Sequence, residues 1–290
     1  MATAPAPSYE LDGKQSREII MEERIQLELA NGVADVRMVR ADKMNALDDA
    51  MFSALVETGE KLKTMKGVRA VVLSGEGRAF CAGLDMGNFG KMASGERRAS
   101  GDTDRLVATG RTPGGANRAQ QAVMVWREIP VPVIAAVHGV AFGGGFQLAL
   151  GADIRIVAPD TRLAVLEIKW GLVPDMAGLV LLRGIVRDDI ARELTFTGRI
   201  FTGEEAQALG VATRVSNDPL GDARTLAAEI ASKNPDAIRA GKRLFNLAAE
   251  ADQKAILLAE TKEQVALIGS KNQVEAVMAN MQKRAATFAD

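Results

Sequence analysis

The 290-residue chain is 47% hydrophobic and 25% charged, and its charged side chains balance to a formal net charge of -1. That balance argues against a nucleic-acid surface, and no apolar run reaches the ~18 residues expected of a membrane-crossing helix. A single cysteine (Cys81) and a single histidine (His138) exclude an intrachain disulfide and any site needing two histidines. A cytoplasmic, reducing setting with no zinc or haem is expected.

The chain opens with Met1-Ala2-Thr3-Ala4-Pro5-Ala6-Pro7-Ser8, which has neither the basic nor the apolar part of a secretory signal. Residues 1–20 read as a flexible N-terminal tail, 21–220 as an α/β core and 221–290 as a helical C-terminal region. Alternation over 25–29, an Asn31-Gly32 turn and a returning run over 33–39 predict a β-hairpin. Met51, Leu55, Leu62 and Met65 recur at helical spacing behind a possible Asp48 cap. A strand is expected over 68–75. Residues 87–119, rich in Gly, Ser, Arg and Asp, read as a long surface segment that covers a pocket.

A helix over 119–127 leads to the buried strand of 131–137. His138 follows it directly, where a structural role is the stronger reading. Shorter strands are expected over 154–157 and 162–166. Helices then dominate, at 223–232, 237–249, 253–268 and 273–286. Strands recurring among helices, with an all-helical end, indicate an α/β fold. The apolar stripes of the last helices suit either intrachain core or a seam between copies, with core the default.

Two glycine-bearing turns carry the chemistry. Phe142-Gly143-Gly144-Gly145-Phe146-Gln147 follows the 131–137 strand and opens a helix. Amides there lack intrahelical partners and sit at the positive end of the helix dipole, so they suit an anion or a developing oxyanion. Arg78-Ala79-Phe80-Cys81-Ala82-Gly83-Leu84-Asp85-Met86 follows the 68–75 strand with the same design. Each turn could supply one donor to the same oxygen. Two acids, Glu167 and Asp175, lie in an apolar stretch downstream. Glu167 ends a strand-like run, and is either a solvated acid beside Lys169 or a buried one whose pKa rises toward general-base range. Asp175 precedes Met176-Ala177-Gly178-Leu179, where an N-cap is the plainer reading.

In order along the chain, from about residue 25 to 288, these motifs resemble the crotonase superfamily, the enoyl-CoA hydratases and isomerases. Arg40-Ala41-Asp42-Lys43-Met44-Asn45-Ala46-Leu47 is similar to the first signature, with Ala41 where proline is usual. Phe80-Cys81-Ala82-Gly83-Leu84-Asp85-Met86 resembles the first oxyanion turn, and the 133–139 run with Gly143-Gly144-Gly145 resembles the second. Phe196-Thr197-Gly198-Arg199, Glu205-Ala206 and Gly210-Val211 resemble the downstream pattern.

The resemblance implies a crotonase-like spiral of ββα units with a C-terminal helical trimerisation region, assembling as a homotrimer or homohexamer. It implies an acyl-CoA thioester as substrate, with coenzyme A part of that substrate and no separate cofactor or metal. Nucleic acid and membrane partners are not expected. The amides of Leu84 and Gly144 would hold the thioester oxygen. Lys43, Ala82, Asp85 and Met86 would line the coenzyme A arm, with Lys283 or Arg284 near its phosphates. Carboxylates would then move protons on an unsaturated acyl chain.

One residue departs from the hydratase pattern. Hydratases carry two glutamates, and Gln147 stands at the first position while Glu167 fills the second. Asp175 matches the second catalytic carboxylate of dienoyl-CoA isomerases, which also carry an acid at the Gln147 position. The reading is therefore proton transfer with Glu167 as principal acid and base, Asp175 as its partner and Gln147 as a polar orienter. A non-catalytic coenzyme-A-binding or scaffolding relative, and an acyl-CoA hydrolase or dehalogenase of the family, are the alternatives.

Overall fold

The computed structural model describes residues 18–21, 23–94 and 110–290. Strands β2 (Ile25–Ala30) and β3 (Val33–Met38) form the expected hairpin. Asn31 and Gly32 both take positive φ, 53° and 79°, as a two-residue turn of this hand requires. Strand β1 (Glu18–Met21) pairs antiparallel with β2. Residues 18–20, read as the end of the tail, are therefore strand, and Glu18 is already in register with Leu29.

From β3 the sheet continues in parallel through β4 (Ala70–Gly75), β5 (Val133–Val137), β7 (Ile154–Val157) and β9 (Arg214–Val215). β5 is buried at every position and β4 at all but its last, as expected of strands covered on both faces. Strand β6 (Val140–Phe142), not foreseen from the sequence, pairs in parallel with β8 (Arg162–Ala164) as a second small sheet.

The helices are α1 (Asp49–Thr64), α2 (Met86–Ala93), α3 (Arg118–Glu128), α4 (Gly144–Leu150), α5 (Gly178–Leu182), α6 (Asp188–Thr197), α7 (Gly203–Ala208), α8 (Pro219–Ala231), α9 (Pro235–Ala248), α10 (Gln253–Leu267) and α11 (Lys271–Met281). The cap expected at Asp48 is present: its Oδ1 accepts the Met51 N–H at 2.8 Å. Helices α1 and α3 bury Leu55, Leu62, Val125 and Trp126 in the core that contains Leu73 and Val133. Of the long surface segment expected over 87–119, the start is helix α2 and the end is helix α3; residues 95–109 lie outside the described residues.

Helix α8 covers the other face of the sheet. Its Ala223 and Ala227 pack on Ala70, Val72, Ile134, Ala136 and Ile156. Small side chains let helix and sheet approach closely. The boundary expected between 220 and 221 thus falls inside a helix that belongs to the core layer. Beyond it, α9 is tied down by Lys242. That buried ammonium donates to Val131 O at 2.9 Å and to Asp153 Oδ2 at 2.7 Å. Helix α10 buries none of its residues.

Candidate active site

The site begins where two chain turns leave the sheet side by side. After β4, the Phe80 N–H donates to His138 O at 2.9 Å and the Cys81 N–H to Val140 O at 3.0 Å. The Phe142 N–H donates back to Cys81 O at 3.2 Å. The first turn is therefore an added strand on β6, which fixes its register against the second turn.

Leu84 is placed by Leu47. The Leu47 N–H donates to Gly83 O at 2.8 Å and the Asp85 N–H to Leu47 O at 3.0 Å. In extended chain, successive amides point to opposite sides. The Leu84 amide lies between those two bonds and so faces away from Leu47.

Gly144 is the first residue of α4, where an N–H has no intrahelical acceptor. The turns touch at the glycines. A Cβ on Gly83 would lie 2.5 Å from Phe142 O and 3.6 Å from the Gly144 nitrogen. A Cβ on Gly145 would overlap the carbonyl oxygen of Cys81. Bare backbone is what allows this approach.

Glu167 is brought to the same place from the other direction. Strand β8 ends at Ala164, and Glu167 opens a 3-10 turn (Glu167–Trp170) rather than closing a strand. A Cβ on Gly143 would lie 3.1 Å from Glu167 Oε1, so the carboxylate abuts the glycine turn. Glu167 is half-buried. Its Oε1 accepts from Gln147 Nε2 at 2.7 Å, and its Oε2 is buried with no hydrogen-bond partner. Burial pushes its carboxyl above the ordinary glutamate range, the backbone amides of Glu167 and Leu166 and the Gln147 hydrogen bond oppose that, and the charge of Asp175 adds to it.

Gln147 itself is 1% exposed. Its Oε1 accepts from the Met176 and Gly178 amides, each at 2.9 Å. The N-cap suggested for Asp175 does not form: α5 is preceded by Ala177 in a left-handed conformation, with no side-chain cap. Asp175 is exposed on the turn just before it. Sequence reading did not foresee Met176. Its Sδ and Leu47 Cδ1 would lie 2.8 and 2.9 Å from a Cβ on Gly144, so these side chains flank the donor turn. The only available signal was the apolar character of both positions.

The four residues assigned to the coenzyme A arm lie on two segments that are hydrogen-bonded to each other, 43–47 and 82–86. The Ala82 N–H donates to Met44 O at 2.9 Å, which joins the first turn to the segment carrying exposed Lys43. Met86 is 67% exposed beside it. The Asp85 carboxylate is engaged internally. It accepts from Arg40 at 2.7 Å and from the Gly87 N–H at 2.8 Å. Arg284 is likewise taken up by Glu275, which it holds down to about 2 together with the Thr287 amide.

The other singled-out residues are structural. His138 Nε2 lies 2.8 Å from Gly77 O, and burial pushes the Cys81 thiol up to about 12. Among the described residues no cluster of His, Cys, Asp and Glu could hold a metal ion, and no helix is long and apolar enough to cross a membrane.

Residues 28–290 match the family described as enoyl-CoA hydratase/isomerase. The mitochondrial methylglutaconyl-CoA hydratase of Mus musculus is 30% identical over 290 residues, covering 97% of this chain and 87% of that protein. The mitochondrial Delta(3,5)-Delta(2,4)-dienoyl-CoA isomerase of Mus musculus is 32% identical over 258 residues, covering 87% and 77%. The crystal structure of an enoyl-CoA hydratase from Bacillus anthracis superposes with a TM-score of 0.81 at 26% identity, covering 92% of this chain and 99% of that one.

Proposed function

The chain belongs to the enoyl-CoA hydratase/isomerase family of enzymes, and from that premise we propose that it moves protons on an unsaturated acyl-CoA by way of a thioester enolate. Glu167 takes a proton from carbon. The C–H electron pair passes through the chain to the thioester oxygen, and an O–H bond forms on the carboxylate. Return of the proton at another carbon shifts the double bond. The charge that gathers on the thioester oxygen is met by the Leu84 and Gly144 amides, and one such donor is typically worth ~10²–10³ in rate. Asp175 is the second acid, and Lys43, Ala82, Asp85 and Met86 flank the coenzyme A arm.

Isomerisation is favoured over hydration by Gln147. An amide can neither take a proton from water nor return one, so the glutamate pair of a hydratase is incomplete. The single observation that carries the reading is the Glu167 carboxylate: half-buried, raised in pKa and abutting the glycine turn, with one oxygen unpartnered. The proposed assembly is a homotrimer or homohexamer joined through α9–α11. It is supported by Phe245, Val265 and Met281, which are 80%, 67% and 76% exposed in the protomer. The proposed compartment is the cytoplasm, a reading supported by the bacterial relatives and not by the mitochondrial ones.

The test compares wild type with Glu167→Gln on enoyl-CoA and dienoyl-CoA substrates. Turnover is expected to fall ~10²–10⁴-fold, the usual worth of a positioned acid or base, while acyl-CoA binding persists. Unchanged turnover would remove Glu167 from the reaction. Tight binding by wild type with no turnover on any substrate would favour the scaffolding alternative.

A further inference from the structure

Gln147 lies one helical turn into α4 and is sealed from solvent, yet all of its hydrogen-bonding capacity seen here is directed at two different segments. The orientation of its amide is not ambiguous. Met176 and Gly178 present backbone N–H groups, which can only donate, so the atom facing them is the oxygen. The nitrogen is then left to face the Glu167 carboxylate, which can accept. Gly178 is part of the arrangement: a Cβ there would lie 2.6 Å from Gln147 Oε1.

Between the two clamped amides sits Ala177, at φ 65°. A left-handed conformation is unfavourable for an ordinary L-residue and is rare outside glycine. Something has to hold it. The Gln147 oxygen bonds both flanking amides, and the turn so fixed carries Asp175 and swings Met176 against the donor turn.

We propose that Gln147 is a positioning residue with two hands: its amide nitrogen fixes the Glu167 carboxylate by one oxygen, so that Oε2 is the oxygen that carries the proton, and its amide oxygen holds the 176–178 turn in a left-handed shape. The inference rests on the reading of Glu167 as the proton carrier. It explains why an amide, rather than the acid of a hydratase, stands at 147. An ionised glutamate could accept from both backbone amides but could not donate to Glu167, and it would set two like charges side by side. A protonated one could donate only by holding a proton in place. A leucine would leave two buried amides without acceptors. The groups that bear on the charge of Glu167 are then its own amide and that of Leu166, Gln147 from α4, and Asp175 from the clamped turn.

The experiment uses full-length wild type, Gln147→Leu, Gln147→Glu, Ala177→Gly and the double variant Gln147→Leu/Ala177→Gly. Three quantities are read: the thermal midpoint, the titration of the Glu167 carboxyl by infrared difference against Glu167→Gln, and kcat beside the Kd of an unreactive saturated acyl-CoA. Gln147→Leu is expected to lower the midpoint, and glycine at 177 to recover part of that loss. In both Gln147 variants the Glu167 titration is expected to move to higher pH. The kcat is expected to drop ~10²-fold, as for a misplaced reacting group, with Kd little changed.

Strict additivity of the two substitutions in the thermal midpoint would overturn the hold on the turn. An unmoved Glu167 titration would overturn the hold on the carboxylate. Both readouts need no turnover, so they stand even if Glu167→Gln retains activity and the proposed reaction fails. If Gln147→Leu does not fold, Gln147→Glu, which keeps both acceptor bonds, still reports on the carboxylate.

Discussion

The donor side of the site, residues 80–84 and 142–145, is held mainly by backbone, whereas the acid side, residues 167–178, is joined to the glycine-turn helix by a side chain. On the donor side the placing contacts are main-chain hydrogen bonds, to His138, Val140, Cys81, Leu47, Met44 and Ala164, with one addition from the Cys81 thiol to Asn45 O, and the buried sheet lies directly behind them. On the acid side one buried glutamine links two segments, and Ile168, Trp170, Leu172 and Val173 are exposed around it. The difference matches the work proposed for each. An oxyanion clamp gains from dipoles that do not reorganise. A proton carrier must shift its own charge and its pKa, and that depends on a particular side-chain environment.

The sharpest way to break this comparison is to place one methyl group on each side. Gly145→Ala would drive a Cβ into the Cys81 carbonyl, which is backbone and fixed by its bond from Phe142. It is expected to cost ~3 kcal/mol or more, the upper range of overpacking, and to remove turnover with it. Gly171→Ala on the acid side meets nothing within 4 Å and bears only its φ of 69°, so ~1–2 kcal/mol is expected. Denaturant midpoints and turnover of both variants decide it. Equal losses would mean that the two sides are equally tolerant and that the distinction has no energetic content.

How much was legible in the sequence divides along the same line. The donor turns could be read because glycine between a strand and a helix is a local signal. The hairpin could be read because Asn31-Gly32 alone specifies two positive φ values. The acid side could be read only as residue identities. Gln147 stands out there as the missing acid of a hydratase pair, but its partners lie 29 and 31 positions downstream and no spacing rule reaches them. Asp175 looks like a cap because aspartate before a helix commonly is one, and the left-handed Ala177 displaces it. The tail and the C-terminal boundary were misplaced by tertiary pairing: β1 finds a partner in β2, and α8 an alanine-lined seat on the sheet.

A smaller effect sharpens the electrostatic half of the comparison. Glu167 must be ionised to take a proton, so activity is expected to rise with pH through its raised pKa. Burial is the largest cause of that rise and the negative charge of Asp175 acts in the same direction. Asp175→Asn removes a charge that disfavours the carboxylate, so the acidic limb of kcat/KM is expected to move to lower pH. A limb that stays in place would show that Asp175 does not act on Glu167 through its charge. Movement to higher pH would mean that Asp175 stabilises the carboxylate, contrary to the arrangement described.

The smallest effect tests whether charge matters on the donor side at all. Asp85, next to Leu84, accepts from the Gly87 N–H, and Arg40 binds its other oxygen while also donating to Ala46 O. The Gly87 bond first and Arg40 second hold its carboxyl below the usual aspartate range, with burial opposing. A depressed folded-state pKa adds stability that is present above the unfolded value of ~3.9 and is lost as pH falls through the folded value. Asp85→Asn keeps an oxygen for Gly87 and removes only the charge. Near neutral pH it is expected to cost ~0.5–1 kcal/mol, as for a partly exposed ion pair. The gap to wild type should close on acidification, when wild type protonates the same group. At saturating acyl-CoA the kcat should barely change, because Leu84 is placed by Leu47 and not by Arg40, and any loss should fall on KM through the coenzyme A arm. A large fall in kcat with little loss of stability would show that the ion pair, and not the backbone, aims the Leu84 amide.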